Sequence, residues 1–119
     1  MAKIGKFLDS LGRRLEENRD GLIFFDCFLK NNLVRELDNR SIRSGLLVNL
    51  ETNFADKQSW GTIYQIVAEI LFNAALREHS EVHPDIFNEA DSVSLTFCQV
   101  AKEQLGFDME FIPIKSPMK

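Results

Sequence analysis

The stretch SWGTIYQIVAEILFNAALR, residues 59–77, decides the fold that the sequence predicts. Apolar residues recur along it at helical spacing and cover a wide face. The polar remainder is a narrow stripe, in which Gln65, Glu69, Asn73 and Arg77 lie four residues apart. A helix this apolar is typically the central one of its domain. We therefore expect a mostly all-α fold, a compact bundle of about five to seven helices around a central apolar helix near 59–77.

Weaker helical patterns precede this stretch. Residues 4–15 place their apolar side chains on one stripe, and so does a segment that begins at Ser41. Between them, residues 22–29 (LIFFDCFL) are apolar nearly all round, which fits a buried helix or a buried strand. We favour a helix there, because the flanking patterns are helical. A loop over 53–58 then leads to Ser59, a good N-cap for the central helix.

The chain after the central helix holds one ambiguous stretch. Pro84 fits the first position of a further helix, where its missing N–H costs nothing. Residues 91–105 match both the two-residue period of a strand and the longer period of a helix. We favour a helix, because residues 101–105 (AKEQL) are strongly helix-forming and Gly106 stands where a left-handed cap would lie.

The last segment of the chain differs in kind. Apolar and acidic residues alternate over 107–111 (FDMEF), and Pro113 keeps this part of the chain out of a central strand. We predict an extended segment near 107–114, either an isolated strand laid on the helices or an arm. We assign 1–114 to a single helical domain and 115–119 to a flexible tail.

Composition limits the class of protein. At 119 residues, with 45% apolar residues and 10 Phe, the chain can fill one core without a metal or a disulfide. Cys27 and Cys98 both lie in apolar stretches, which is typical of buried thiols in a reducing compartment, although a disulfide between them stays open. No secretory signal is visible, and the longest apolar run, Leu22–Phe25, is too short to span a bilayer. We expect a cytoplasmic protein with no cofactor and no membrane partner.

Charge is distributed unevenly along the sequence. Residues 1–57 carry a net charge of +1 and residues 58–119 a net charge of −5. Five acidic residues and no basic one fall between Glu78 and Asp91. Such clustering creates a negative field that repels nucleic acid and attracts a basic partner. A merely solubilising acidic face is the alternative.

Motifs for catalysis are weak. His79 and His83, four residues apart, could share a helix face and bind zinc with a neighbouring glutamate. However, Pro84 biases His83 away from helical geometry, and an exposed loop is the better interpretation. Asp26, inside the apolar stretch, fits a structural ion pair or a helix cap better than acid–base chemistry. With no nucleophile elbow and no phosphate-binding loop in the sequence, we expect no enzyme, no catalytic residue and no metal site.

Two classes of function remain, with a third behind them. The first is a small acidic inhibitor or immunity-type protein that neutralises a basic partner such as a nuclease toxin, whose cleft is positively charged to hold phosphate. The second is a helical adaptor or subunit of a larger assembly, and the third is a metal-dependent enzyme that uses His79 and His83. For the first, the predicted partner-binding residues are Glu78, Glu81, Asp85, Glu89, Asp91, Phe107, Asp108, Met109, Glu110 and Phe111.

Overall fold

The computed structural model describes most of the chain. The described residues are 2–18, 46–82 and 84–114, and five single residues between the first two ranges: Phe25, Asn32, Arg35, Glu36 and Asn39. They form four α-helices: α1 (Ala2–Asn18), α2 (Leu46–Thr52), α3 (Lys57–Glu78) and α4 (Ile86–Leu105).

The helical class is confirmed, and no strand occurs within the described ranges. The described residues hold four helices, whereas we expected five to seven in the whole chain. Most of the predicted helix over 22–29, the helix start at Ser41 and the tail at 115–119 lie outside the described residues.

Helix α1 buries the stripe that its sequence predicts. Phe7, Leu11 and Leu15 are almost completely buried. A Cβ atom added at Gly12 would lie 3.2 Å from Cε2 of Phe25, so this helix face and the Phe25 ring are in close contact. Phe25, the only described residue of the LIFFDCFL stretch, is itself only 2% exposed. Asp26 and Cys27 of that stretch are outside the described residues.

Helix α3 begins two residues earlier than the sequence predicted, and its N-cap is Asp56 rather than Ser59. Oδ2 of Asp56 accepts hydrogen bonds from the amide of Ser59 at 3.1 Å and from its hydroxyl at 2.6 Å. Asn49 of α2 donates to the same Asp56 oxygen at 3.0 Å, which ties α2 to the start of α3. Asp56 and Ser59 are both suitable N-cap residues for α3. Asp56 is the N-cap because the negative charge of its carboxylate is stabilised at the positive end of the helix dipole. The Ser59 hydroxyl and amide lower the pKa of Asp56.

Helices α3 and α4 pack antiparallel, and α1 packs mainly on α4. The ring centroids of Phe72 and Phe87 lie 6.4 Å apart near the connection between the helices, and those of Trp60 and Phe97 lie 6.2 Å apart near the other end. Phe7 of α1 completes an aromatic cluster, at 4.5 Å from Trp60 and 5.0 Å from Phe97. Helix α4 therefore lies between α1 and α3 and shares the central position that we predicted for α3 alone.

The ambiguous stretch 91–105 is helical throughout. Val93, Phe97 and Ala101 are fully buried on one face, while Leu95, which a strand would have placed beside them, is 46% exposed. Gly106 ends the helix with φ of 78° in the left-handed region, and its amide donates to the carbonyl of Lys102 at 3.1 Å. The predicted left-handed cap is confirmed.

The prediction that Pro84 opens this helix is wrong. The N-cap is Asp85 and the first helical residue is Ile86, so Pro84 precedes the cap. The amides of Asn88 and Glu89 donate to the carbonyl of Asp85 at 3.0 and 3.1 Å, and these bonds start the helix two residues later than predicted. Proline is compatible with this position too, because its nitrogen has no hydrogen to leave unpaired.

The C-terminal segment, residues 107–114, runs back along the helices. From Leu105 to Asp91 helix α4 rises about 21 Å, and eight extended residues reach slightly further than this. Ile114 is 1% exposed, and its amide donates to Oδ1 of Asp91. The segment therefore lies on the helices and is not an arm, although it does not form the isolated strand that the other predicted arrangement included.

Candidate functional site

Four of the predicted acidic residues meet where α3 ends and α4 begins. We call Glu78, Glu81, Asp85 and Glu89 the acidic corner. Glu78 is the last residue of α3, Glu81 lies in the connection, Asp85 caps α4 and Glu89 lies in its first turn. The capping amide of His79 donates to the carbonyl of Ala75 at 2.8 Å and fixes the turn out of α3.

Helix dipoles explain only part of the acidic corner. Asp85 and Glu89 lie at the positive end of α4, where a negative charge is stabilising. Glu78, in contrast, lies at the negative end of α3, and Glu81 lies on no helix. None of the four carboxylates forms an ion pair with another described residue. Since Glu81, Asp85 and Glu89 are also exposed, their field extends into solvent.

An apolar side chain stands within the acidic corner. Val82 is 78% exposed, more than any other large apolar residue in the described part of the chain. Its amide donates to the Ser80 hydroxyl at 3.1 Å, which shapes the tip of the connection. Below the tip, the ring of His79 packs at 5.1 Å from that of Phe87. The connection therefore exposes one large apolar side chain next to Glu81 and close in sequence to Asp85.

The sequence analysis did not identify Val82. The available signal was an isolated β-branched residue between Glu81 and His83 in a helix break, with no apolar neighbour to pack on. Exposure of a single apolar residue is common in proteins, so the exposure of Val82 alone does not indicate a binding site. It becomes informative only because the residues of the acidic corner lie next to it in the chain.

Asp91 does not belong to the exposed acidic surface. It is half-buried on α4, where its carboxylate accepts the hydrogen bond from the Ile114 amide. The sequence predicts Asp91 as a partner-binding residue, and the structure shows that its carboxylate attaches the C-terminal segment.

The C-terminal members of the predicted site lie mostly at the other end of α3. Phe107, Met109 and Phe111 are half-buried against the core, so part of their apolar surface is used internally. Asp108 pairs with Lys102 at 3.3 Å, and Glu110 is exposed. Helix α3 is about 32 Å long, so the structure does not bring these residues together with the acidic corner.

A closed set of hydrogen bonds holds the C-terminal segment at Ile112. The Ile112 amide donates to the Tyr64 hydroxyl at 2.8 Å, and the Ser94 hydroxyl donates to the Ile112 carbonyl at 3.4 Å. The Tyr64 and Ser94 oxygens are 2.7 Å apart, and Tyr64 donates in the pattern that satisfies all three groups. Burial raises the pKa of Tyr64 to about 12.

A second buried group of the core, the Cys98 thiol, also has a raised pKa. Cys98 is free and buried, as its apolar context predicted, and burial raises the pKa of its thiol. A thiol of this kind is a poor nucleophile, because the thiolate is the reactive form. Cys27 is outside the described residues.

The predicted histidine pair is only half described. His79 is exposed, whereas His83 is outside the described residues. Among the residues that the structure does describe, no group of three or more metal-ligating side chains is close enough to hold an ion. No described helix combines the length and the apolar character needed to cross a membrane.

Comparisons with known proteins give no relative: no protein-family model, no curated protein and no solved structure matches this chain.

Proposed function

We propose that this chain is a small acidic protein-binding domain that inhibits a basic partner protein, in the manner of an immunity protein that neutralises a nuclease toxin. The observation that carries the proposal is the acidic corner with Val82 at its tip. The proposal includes a role without catalysis, in the cytoplasm, with no cofactor and with neither nucleic acid nor membrane as partner.

The charge of the acidic corner suits it to fast and selective encounter. Exposed carboxylates without internal ion pairs keep their full field, which steers a basic protein toward this end of the molecule. The same carboxylates would repel nucleic acid. A nuclease cleft that is built to hold phosphate presents the complementary positive field.

Val82 provides an apolar side chain that can be buried in an interface, which the carboxylates cannot provide. Ion pairs at the rim of an interface add mainly to the association rate, while buried apolar anchors lower the dissociation rate. A β-branched side chain on a loop loses little conformational freedom when it is buried. We therefore assign Val82 to the centre of the interface and Glu81, Asp85 and Glu89 to its rim.

The test is a charge reversal with a matched control. The variant Glu81→Lys/Asp85→Lys/Glu89→Lys is expected to lose the partner protein that the wild type binds, while its circular dichroism spectrum stays unchanged. Loss of Asp85 is tolerable for the fold because its side chain makes no capping hydrogen bond. The control reverses Asp9, Glu16 and Glu17, three exposed carboxylates of α1, and so changes the net charge equally.

Equal binding by both triple variants would contradict the proposal. Binding by the wild type should weaken steeply between low and moderate salt, because exposed charges are screened over about 10 Å at 0.1 M ionic strength. Val82→Ser is expected to increase the dissociation rate with little change in the association rate.

The helical adaptor is the alternative, and one observation favours it. Val48 of α2 is 68% exposed and Leu95 of α4 is 46% exposed, which leaves apolar surface away from the acidic corner. A partner that binds independently of salt, and that Val48→Ser/Leu95→Ser releases, would indicate an adaptor.

A further inference from the structure

A groove runs along α3 beside the C-terminal segment. It consists of two adjoining clefts of about 240 and 320 Å³ that share Gln65 and Ile112 as lining residues. Helix α3 forms one wall from Lys57 to Phe72, and residues 107–114 form the other. This wall of α3 is about 22 Å long, which is the length of six or seven extended residues.

The C-terminal wall of the groove offers an unpaired main chain. Among the described residues, no partner is found for the amides of Asp108, Met109, Glu110 and Phe111. Alternate side chains of this wall are half-buried and exposed, the two-residue period of extended backbone. Extended backbone directs the amides and carbonyls of successive residues to opposite sides, so one added extended chain can pair with every second residue of this wall.

Gly61 leaves space open along the α3 wall of the groove. A Cβ atom added there would meet nothing within 4 Å, and the residue does not have a positive φ. Glycine is among the least favourable residues in a helix interior. Neither a close contact nor the backbone conformation therefore requires glycine at this position, but any side chain there would enter the groove.

We propose that this groove binds an extended segment of a basic partner protein, which pairs with the main chain of residues 107–111 as an added strand. The inference rests on the proposed function, since it takes its partner to be the basic protein bound by the acidic corner. Apolar residues of the segment face α3, and the basic residues between them face Glu110 and Asp108, where they compete with Lys102 for the Asp108 carboxylate.

The probe is a synthetic peptide of about seven residues that alternates valine and lysine, a length set by the groove. Isothermal titration with the full chain is expected to show binding, and nuclear magnetic resonance is expected to shift the amides of residues 107–111. Two control peptides separate the contributions. A valine–glutamate version is expected to bind at least about tenfold more weakly because of charge. A version N-methylated at alternate amides should weaken by a similar factor because it cannot pair.

Gly61→Leu tests the groove without harming the fold. The leucine side chain fills open space on a helix, so the unfolding temperature is expected to stay the same or rise, while peptide affinity falls at least about tenfold. Gly5→Leu is the matched control: Gly5 is a helical glycine of α1 that also has nothing within 4 Å, and it does not line the groove. It is expected to bind the peptide like the wild type.

Several outcomes would overturn the inference. Unchanged peptide affinity in Gly61→Leu would exclude the groove, and equal binding of the N-methylated peptide would exclude strand pairing. Self-association of the wild type that Gly61→Leu abolishes would identify the occupant as a second copy of this chain. If Gly61→Leu keeps the partner protein but the Glu81, Asp85 and Glu89 reversal loses it, the proposed function stands and the groove inference fails. If Gly61→Leu loses the partner protein and the Glu81, Asp85 and Glu89 reversal keeps it, the groove is the binding site and the role of the acidic corner fails.

Discussion

Replacing Tyr64 with phenylalanine should loosen the C-terminal segment without disturbing the aromatic core. The ring of Tyr64 stacks on Phe97 at 5.4 Å with an interplanar angle of 18°, and phenylalanine retains that contact. Only the hydroxyl is lost. Its removal takes the acceptor from the Ile112 amide and the partner from the fully buried Ser94.

The cost follows from the groups left behind. A buried polar group without a partner costs roughly 1 to 3 kcal/mol, and Ser94 keeps only its longer bond to the Ile112 carbonyl at 3.4 Å. We expect Tyr64→Phe to lower the free energy of unfolding by about 1 to 3 kcal/mol in urea titrations. Hydrogen exchange at the Ile112 amide should accelerate, while exchange in the middle of α1 rises only by the global destabilisation.

High pH provides a second measurement on the same hydroxyl. The folded chain holds the pKa of Tyr64 at about 12, whereas in the unfolded chain it is close to 10. Unfolded chains therefore lose this proton first, and the stability that the neutral hydroxyl provides is present below about pH 10 and lost towards pH 12. The maximal loss is no more than about 2 to 3 kcal/mol. Tyr64→Phe should lack this part of the alkaline decline.

Because the chain has one tyrosine, tyrosinate absorbance reports on Tyr64 alone. We expect the folded protein to titrate well above pH 10. A midpoint near the value of free tyrosine, or parallel loss of stability in wild type and Tyr64→Phe above about pH 10, would refute the reasoning. All other ionisable groups are the same in both proteins, so the difference between the two curves isolates the hydroxyl.

Three further predictions concern the fold. Gly5→Ala should raise the free energy of unfolding by up to about 1 kcal/mol, because its Cβ atom enters open space. Gly12→Ala should lower the free energy of unfolding, because overpacking against Phe25 costs roughly 1 to 3 kcal/mol, and urea titrations of the two variants check both signs. The wild type should lose stability below about pH 4 in part because the Asp56 carboxylate, whose pKa is lowered, stabilises the fold only while it is ionised, and Asp56→Asn should lack this part of the loss. Thermal melts of both proteins across that pH range test this, and identical acid profiles would contradict it. Phe97→Ala should cost about 3 to 5 kcal/mol, because the ring is fully buried, and a loss below about 1 kcal/mol in urea would show that the aromatic cluster is not the centre of the core.

The acidic corner was predictable as a set of residues but not as a surface. The run of carboxylates from Glu78 to Glu89 is visible in the sequence, and the break between two helical patterns places it at a turn. Asp91 shows the limit of this reasoning. It belongs to the same run, yet its carboxylate is occupied by an amide 23 residues further along the chain. Nothing local distinguishes it from Glu89, which stays exposed.

The sequence by itself determined the features that depend on near neighbours. The buried stripe of α1, the apolar face of α3 and the left-handed cap at Gly106 each follow from spacing or from one residue's backbone preference, which act within a turn or two of helix.

Only the tertiary structure decided the features that join distant parts of the chain. The helix at 91–105 prevailed over a strand because one of its faces packs between α1 and α3. The groove beside α3 exists because Tyr64 binds an amide 48 residues away and so fixes where the C-terminal segment lies. Contacts at such separations depend on how the helices pack, and packing depends on the shapes of all the side chains between them, which periodicity does not record.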